Sequence, residues 1–269
     1  MKRPGVTGLV LTYNGERVLE RTLASLAFCD ELLVVDSGST DMTLAIAEAA
    51  GARILSRTWE GPGPQFAFAF EHIRTPWVVS LDHDEYCTPQ LQQQIQDALA
   101  VPGDMAGWYC PRRSYYFDRF LGHCGWYPDY LLRVFRLQQM QLKIALPHYS
   151  FHPLGPTGTL AGDIVHYPYS GLSEHVAKIN AYTQSAAEDK YARGERAGLA
   201  TALGHAMARF AKIYLLKRGF LDGRAGLVLA LNSFFYVFHK YIRMAEIQAE
   251  VKQALQAGET PPTPDTENS

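Results

Sequence analysis

The run Pro76-Trp77-Val78-Val79-Ser80-Leu81-Asp82-His83-Asp84-Glu85-Tyr86 constrains the fold most. Trp77 to Leu81 are largely apolar, with a proline before them and polar residues after, which predicts a short buried strand. That strand delivers Asp82, His83, Asp84 and Glu85 to its carboxyl end. Open α/β sheets bind ligands in the crevice outside such ends. Carboxylates packed this closely repel unless a cation or solvent screens them. A carboxylate pair suits Mg²⁺ or Mn²⁺, ions that also take phosphate oxygens. Asp82 and Asp84 are therefore candidate ligands for a metal that holds a diphosphate. A solvated loop opening a helix at Thr88-Pro89 accounts for the same residues, and for so short a motif it is the commoner outcome.

The preceding chain alternates strand and helix patterns. Val6 to Thr12 reads as a strand, broken by Tyr13-Asn14-Gly15, and Glu16 to Ala27 places Val18, Leu19, Leu23 and Leu26 on one helical face. Leu32 to Val35 is a second apolar strand, ending in Asp36-Ser37-Gly38-Ser39-Thr40-Asp41. Thr40 or Asp41 can cap a helix running to Ala50. Ala52 to Leu55 is a third strand, and Gln65 to Arg74 is helical in pattern. Such alternation implies an α/β fold with a mainly parallel sheet and flanking helices. Asp36, at a strand's carboxyl end, can accept hydrogen bonds from a ribose or base. A turn built by Asp, Ser and Gly explains it equally well. The glycine fingerprint of dinucleotide folds and the P-loop lysine are both missing, which leaves NAD and P-loop readings little support.

From 106 to 136 the chain is rich in aromatics, including Trp126, Tyr127 and Tyr130 around Asp129. Rings with polar tips serve as core or as sugar-stacking surfaces. Leu131 to Arg136 returns to a strand pattern, and Ile164 to Tyr169 places His166 in an apolar strand, where a lone histidine is more often a core residue than a ligand.

After Gly171 the pattern is helical: Glu174 to Arg193, Thr201 to Lys217 and Gly223 to Lys252. Residues 205–243 carry seven lysines or arginines against one acid, Asp222. Gly226 to Phe238 is nearly all apolar yet shorter than the roughly 20 residues a spanning helix needs. It suits either a buried helix or the plane of an anionic membrane surface. The expected division is 1–170 for the α/β domain, 171–257 for the helical region and 258–269 for a disordered tail. A net charge of −2 provides no global field for nucleic acid. No amino-terminal signal peptide is evident, and the four cysteines lack metal-ligand spacing, so reduced thiols in a cytoplasmic protein are expected.

Six stretches together carry a resemblance. They are Val34-Val35-Asp36-Ser37-Gly38-Ser39-Thr40-Asp41, Trp59-Glu60-Gly61, Ser80-Leu81-Asp82-His83-Asp84-Glu85, Gly125-Trp126-Tyr127-Pro128-Asp129-Tyr130 with Arg133, Gly162-Asp163 with His166-Tyr167, and Gly219-Phe220-Leu221-Asp222-Gly223. In this order they resemble the family 2 glycosyltransferases of the GT-A fold, and among these the lipopolysaccharide inner-core β-glucosyltransferases. The resemblance covers nearly the whole chain. It implies metal-dependent, inverting transfer of a sugar from a nucleotide-diphosphate donor, with UDP-glucose favoured, to a lipid-linked glycan. The place implied is the inner face of the cytoplasmic membrane, with the protein peripheral on its anionic surface. Thr12, Asn14, Asp36, Gln65, Asp82 and Arg133 would bind the nucleotide-sugar. Asp82, Asp84 and His166 would hold Mg²⁺ or Mn²⁺, and Trp126, Tyr127 and Tyr130 would meet the acceptor.

Two departures stand out. Where the resembled family has Val-His-Glu, its glutamate a candidate base, this chain has Pro147-His148-Tyr149-Ser150. Tyrosine, with an ordinary pKa of about 10, is a poor base at neutral pH, which leaves Asp129 and His148 as candidates. Where the family often has Lys-Gln-Lys-Asn, this chain has Pro64-Gln65-Phe66-Ala67. A catalytically impaired homologue acting as a nucleotide-sugar- or membrane-binding scaffold is the competing expectation.

Overall fold

The computed structural model describes residues 4–145 and 148–258, without the side chains of Ala145 and His148. The expected disordered tail therefore lies outside the described residues except for Gly258. The chain divides into two compact units: Met1–Tyr115 with Pro128–Pro168, and Tyr116–Tyr127 with Tyr169–Ser269.

The first unit is built on one main sheet and a separate two-stranded one. Its elements begin with β1 (Val6–Thr12), α1 (Leu19–Ser25), β2 (Glu31–Asp36), α2 (Thr43–Ala49), β3 (Arg53–Ser56), α3 (Pro62–His72), β4 (Trp77–Asp82), β5 (Glu85–Cys87), α4 (Pro89–Ala100) and β6 (Gly107–Tyr116). The short β7 (Arg119–Phe120) falls in the second unit's segment. There follow β8 (Asp129–Arg136), β9 (Met140–Ala145), β10 (His148–Pro153), β11 (Thr157–Thr159) and β12 (Ile164–His166). Strand order is β3-β2-β1-β4-β8-β6-β12-β5. The half from β3 to β4 is parallel throughout. β8 runs antiparallel to both its neighbours, β6 and β12 pair in parallel, and β5 closes the path antiparallel to β12. The sheet is mixed and mostly parallel with flanking helices, as the sequence predicts.

Alternation places the core on both faces. Trp77, Val79 and Leu81 of β4 pack on one side with Leu19, Leu23 and Ile95. Val78 turns to the other side with Leu33, Phe66 and Phe135. Helix starts follow local chemistry. Thr88 Oγ1 accepts from Leu91 N at 3.3 Å and caps α4, with Pro89 at its first position. Pro62 likewise opens α3, three residues before its predicted start. Asp41 Oδ1 accepts from Thr43 N at 3.0 Å, ahead of α2.

The second unit comprises α5 (Leu172–Ala192), α6 (Leu199–Ala211) and α7 (Gly223–Ala257), with the 116–127 segment. The last turn of the predicted Thr201–Lys217 helix widens into a π-turn over Lys212–Leu216. The apolar run at Gly226 proves to be part of a continuous 35-residue helix. Among the described residues, Gly219–Ala257 is the one helix long and apolar enough to cross a membrane, by length and composition only.

A buried polar cluster ties this unit together. Tyr116 Oη lies 2.7 Å from His175 Nδ1, and Asn232 Nδ2 donates to that hydroxyl at 2.8 Å. The Tyr169 ring stacks on His175 with centroids 4.1 Å apart. Burial, followed by the nearby Lys178 charge, lowers the His175 pKa from 6.5 to about 4. A proton on Nδ1 would face the Asn232 Nδ2 group, 3.0 Å away, which can only donate. Because the folded pKa is lowered, stability holds above pH 6.5 and is lost as pH falls from there toward 4, by up to about 3 kcal/mol. In an NMR titration the His175 ring protons should move with a midpoint near 4; a midpoint near 6.5 would show that the cluster does not hold the neutral ring.

Candidate active site

The carboxyl ends of β1, β2 and β4, with β12, gather the first unit's polar residues. Asp82 ends β4, and Arg133 Nη2 on β8 donates to its Oδ2 at 2.6 Å. The same nitrogen donates to Glu85 Oε2, also at 2.6 Å. Glu85 is wholly buried. Its other oxygen takes Arg112 Nη1 at 3.1 Å, and Arg112 reaches on to Asp129 Oδ2 through Nη2 at 2.7 Å and Nε at 3.1 Å. The result is a chain of alternating charge, Asp82–Arg133–Glu85–Arg112–Asp129. Burial works against the Arg133 charge, but the Asp82 and Glu85 carboxylates outweigh it and raise its pKa. Arg112 is raised on the same balance, with Glu85 its main partner. A buried carboxylate persists only when paired and hydrogen-bonded, and this one is held by two guanidinium groups.

Asp84 stands apart from that chain. Its Oδ2 lies 3.5 Å from His166 Nε2, and the other ring nitrogen meets Ser114 Oγ at 2.9 Å. Two ligands of one octahedral ion, each about 2.1 Å from it, stand about 3 Å apart. The pair is thus spaced to share a cation, and Ser114 fixes the ring. The carboxylate oxygen is the donor that suits Mg²⁺ and Mn²⁺, and imidazole suits softer ions, so Asp84 is the principal donor of the pair. Among the described residues no three His, Cys, Asp or Glu side chains gather as a closed site. Ions of this kind are commonly held by one or two carboxylates plus substrate phosphates, so the donor chemistry fits. The second aspartate of the motif is the one placed for this, since Asp82 is engaged by Arg133.

The nucleotide-side candidates lie on neighbouring loops. Asp36 is buried and folds its own turn: Oδ2 accepts from Gly38 N at 2.9 Å and Ser39 N at 3.0 Å, and Oδ1 from Ser39 Oγ at 2.5 Å. Asn14, at φ 48°, ties this turn to the end of β1 by accepting from Thr40 N at 2.9 Å. Gln65 lies fully buried beneath, its amide donating to Ser37 Oγ at 2.9 Å and Arg57 O at 3.1 Å. Thr12 Oγ1 is buried with no partner among the described residues. A Cβ on Gly15 would stand 2.8 Å from that oxygen and 3.0 Å from the His83 ring, so only glycine allows this close packing.

The acceptor candidates separate. Tyr130 on β8 is half exposed, in the first unit. Trp126 and Tyr127 fall in the second unit, where Trp126 packs edge-on to Tyr116 and Tyr127 edge-on to Phe120. His148 begins β10, but its side chain lies outside the described residues. Tyr149 has its hydroxyl pKa raised, first by burial and then by the Asp82 carboxylate. Sequence reasoning singled out neither Glu85 nor Arg112. The signal available was an acid extending the Asp-x-Asp run and the adjacent arginines Arg112 and Arg113 in an aromatic-rich strand.

Comparison with known proteins assigns the class: the chain is a glycosyltransferase. It matches Glycosyl transferase family 2 over residues 9–152, more than half its length, and belongs to that family. It is similar to the lipopolysaccharide core biosynthesis glycosyltransferase LpsC of Rhizobium meliloti (strain 1021), 26% identical over 245 residues that cover 87% of this chain and 89% of the relative. An uncharacterized glycosyltransferase of Rickettsia bellii (strain RML369-C) is 23% identical, covering 90% of this chain and 86% of the relative. Among solved structures, glucosyl-3-phosphoglycerate synthase from Mycobacterium tuberculosis with Mn²⁺ and UDP-glucose is 24% identical over 42% of this chain and 44% of that one, at a TM-score of 0.34.

Proposed function

We propose that this glycosyltransferase is metal-dependent and inverting, moving a sugar from a nucleotide diphosphate, UDP-glucose by preference, to a lipopolysaccharide-core or related lipid-linked acceptor. The facing pair Asp84–His166 at the end of β4 carries the reading, and the name of the Rhizobium relative supports the acceptor class. Asp84 and His166 would hold Mg²⁺ or Mn²⁺ against the donor diphosphate. A divalent ion there supplies positive charge that offsets the charge growing on the leaving group. Thr12, Asn14 and the Asp36 turn, backed by Gln65, would receive the nucleoside, with Thr12 Oγ1 offering an unspent donor. Asp82 and Arg133 would line the sugar side, and Trp126, Tyr127 and Tyr130 would serve the acceptor.

In an inverting transfer the acceptor oxygen bonds to the anomeric carbon as the bond to the diphosphate breaks, and the hydroxyl proton passes to a base. Tyr149, its pKa raised, is a poor candidate. Asp129 is suited to this role: both Arg112 bonds end on Oδ2, leaving Oδ1 for a proton. His148 is the other candidate. Asp129→Asn should lower kcat about 10²–10⁴-fold while donor affinity stays within about twofold, measured by UDP release and by calorimetry. An unchanged kcat would remove Asp129 from the role. Tyr149 in place of the glutamate favours a second reading, an impaired homologue that binds donor as a scaffold. UDP-glucose with Mn²⁺ separates the two, since slow donor hydrolysis belongs to the enzyme and binding without any turnover to the scaffold.

The basic, apolar second unit would hold the protein on the inner face of the cytoplasmic membrane as a peripheral protein. Anionic vesicles should bind it, and salt should weaken that binding.

A further inference from the structure

The second unit carries a surface with two adjoining parts. The first is the exposed turn between α6 and α7. Leu215, Leu216, Phe220 and Leu221 are 57%, 78%, 48% and 48% exposed, and Lys217 and Arg218 stand exposed between them. Large apolar side chains with cations set among them are what a headgroup–acyl boundary accepts. The turn is held in shape. Arg218 is left-handed at φ 55°, and Lys217 O accepts from Cys124 N at 2.9 Å. Asp222 is buried, and its carboxylate takes His123 N and His123 Nδ1, each at 2.9 Å.

The second part is a cavity of about 740 Å³ lined by Phe117, Asp118, Arg119, Arg224, Ala225 and Val228. Arg119 Nη2 donates to Leu221 O at 3.4 Å, which joins the cavity to the turn. Gly223, at φ 63°, holds the left-handed backbone that starts α7, and the Arg119 guanidinium lies beside it. Among the described residues neither Arg119 nor Arg224 is ion-paired to a carboxylate. On α7, Arg224 shares a face with Val228, Leu231 and Phe235, by helical spacing. Leu231 is 41% and Phe235 46% exposed, so an apolar stripe leads away from the cations for about 16 Å.

We propose that this surface is a phospholipid-docking site: the 215–221 turn enters an anionic bilayer, and Arg119 with Arg224 seats the phosphate of one lipid headgroup in the adjoining cavity. Charge complementarity and the continuity of cation pair, apolar turn and apolar stripe select a bilayer lipid as the occupant. The proposal rests on the membrane reading above and narrows it to one place.

The test is cosedimentation of the full chain with phosphatidylglycerol and phosphatidylcholine vesicles. Wild type should bind the anionic vesicles preferentially; no binding to either would defeat the membrane reading itself. Given wild-type binding, Leu216→Glu with Phe220→Glu, and separately Arg119→Gln with Arg224→Gln, should each weaken it tenfold or more, taking about 1 kcal/mol per cation near the surface as the scale. Arg74→Gln with Lys143→Gln removes equal charge from exposed positions of the first unit and should cost less than about threefold. Val228→Trp, which fills the cavity at constant charge, should weaken binding as well, with thermal melting to verify folding. Equal losses in both charge pairs, together with wild-type binding by Val228→Trp, would show a diffuse field and overturn the site. Undiminished vesicle binding by the Arg119/Arg224 variant, alongside a raised KM for a phosphorylated lipid-linked acceptor, would overturn the bilayer assignment in favour of a substrate phosphate.

Discussion

Asp84→Ala is expected to lower turnover about 10³-fold, the scale of losing one main stabiliser of transition-state charge. The side chain is 17% exposed beside His166 and not part of the hydrophobic core, so the variant should fold with a melting temperature at most a few degrees below wild type. The expected pattern is metal-free nucleotide affinity unchanged and metal-enhanced affinity gone. His166→Ala should give the same pattern more weakly, because imidazole is the second donor of the pair. Asp82→Asn should behave differently. It removes the partner of a buried arginine and should cost stability as well as rate. Turnover assays with Mn²⁺ titrated against each variant separate these patterns. Wild-type activity in Asp84→Ala would end the metal role.

Glu85→Gln is expected to have the largest effect on stability. It replaces a carboxylate that is wholly buried between two guanidinium groups. Removing one partner of a buried ion pair costs about 3–5 kcal/mol, because the charges left behind have lost their compensation. For a chain of this size that corresponds to a fall in Tm of roughly 10 °C. Arg133 would keep Asp82 and Arg112 would keep Asp129, so the low end of the range applies. Activity should fall further than stability alone explains, since both outer aspartates lose their common anchor. A Tm within about 2 °C of wild type would mean that the five-membered charge chain contributes little.

The sequence was most legible where structure is local. β1 spans Val6–Thr12 as its apolar run predicts, and Thr88-Pro89 opens α4 as a cap and first-turn proline should. Helix α5 begins at Leu172, directly after Gly171, and α7 begins at Gly223 as its pattern predicts. The charge chain was not legible. Arg112 meets an acid 27 residues back and another 17 ahead, and Arg133 an acid 51 residues back. Such pairings depend on which strands lie side by side, and β8 inserts between β4 and β6 from far along the chain. The adjacent Arg112 and Arg113 of β6 look like an ordinary strand end until that order is known. Asp36 shows the opposite limit. Its buried side chain builds the Ser37–Thr40 turn, the alternative that its sequence left open, and the turn still sits beside Asn14 and the end of β1. The grouping of Tyr116–Tyr127 with the second unit also escaped a linear reading, because nothing in that aromatic run marks its crossing from one unit to the other.

The central claim is that Asp84 and His166 grip a divalent ion that in turn grips a diphosphate. Titration calorimetry of UDP into wild type and Asp84→Ala, with and without Mn²⁺, tests it most directly. Mn²⁺ should tighten UDP binding at least about tenfold in wild type, a coupling of about 1.4 kcal/mol, and leave the affinity of the variant unchanged. Equal wild-type affinity with and without the ion, or full enhancement surviving in Asp84→Ala, would contradict it.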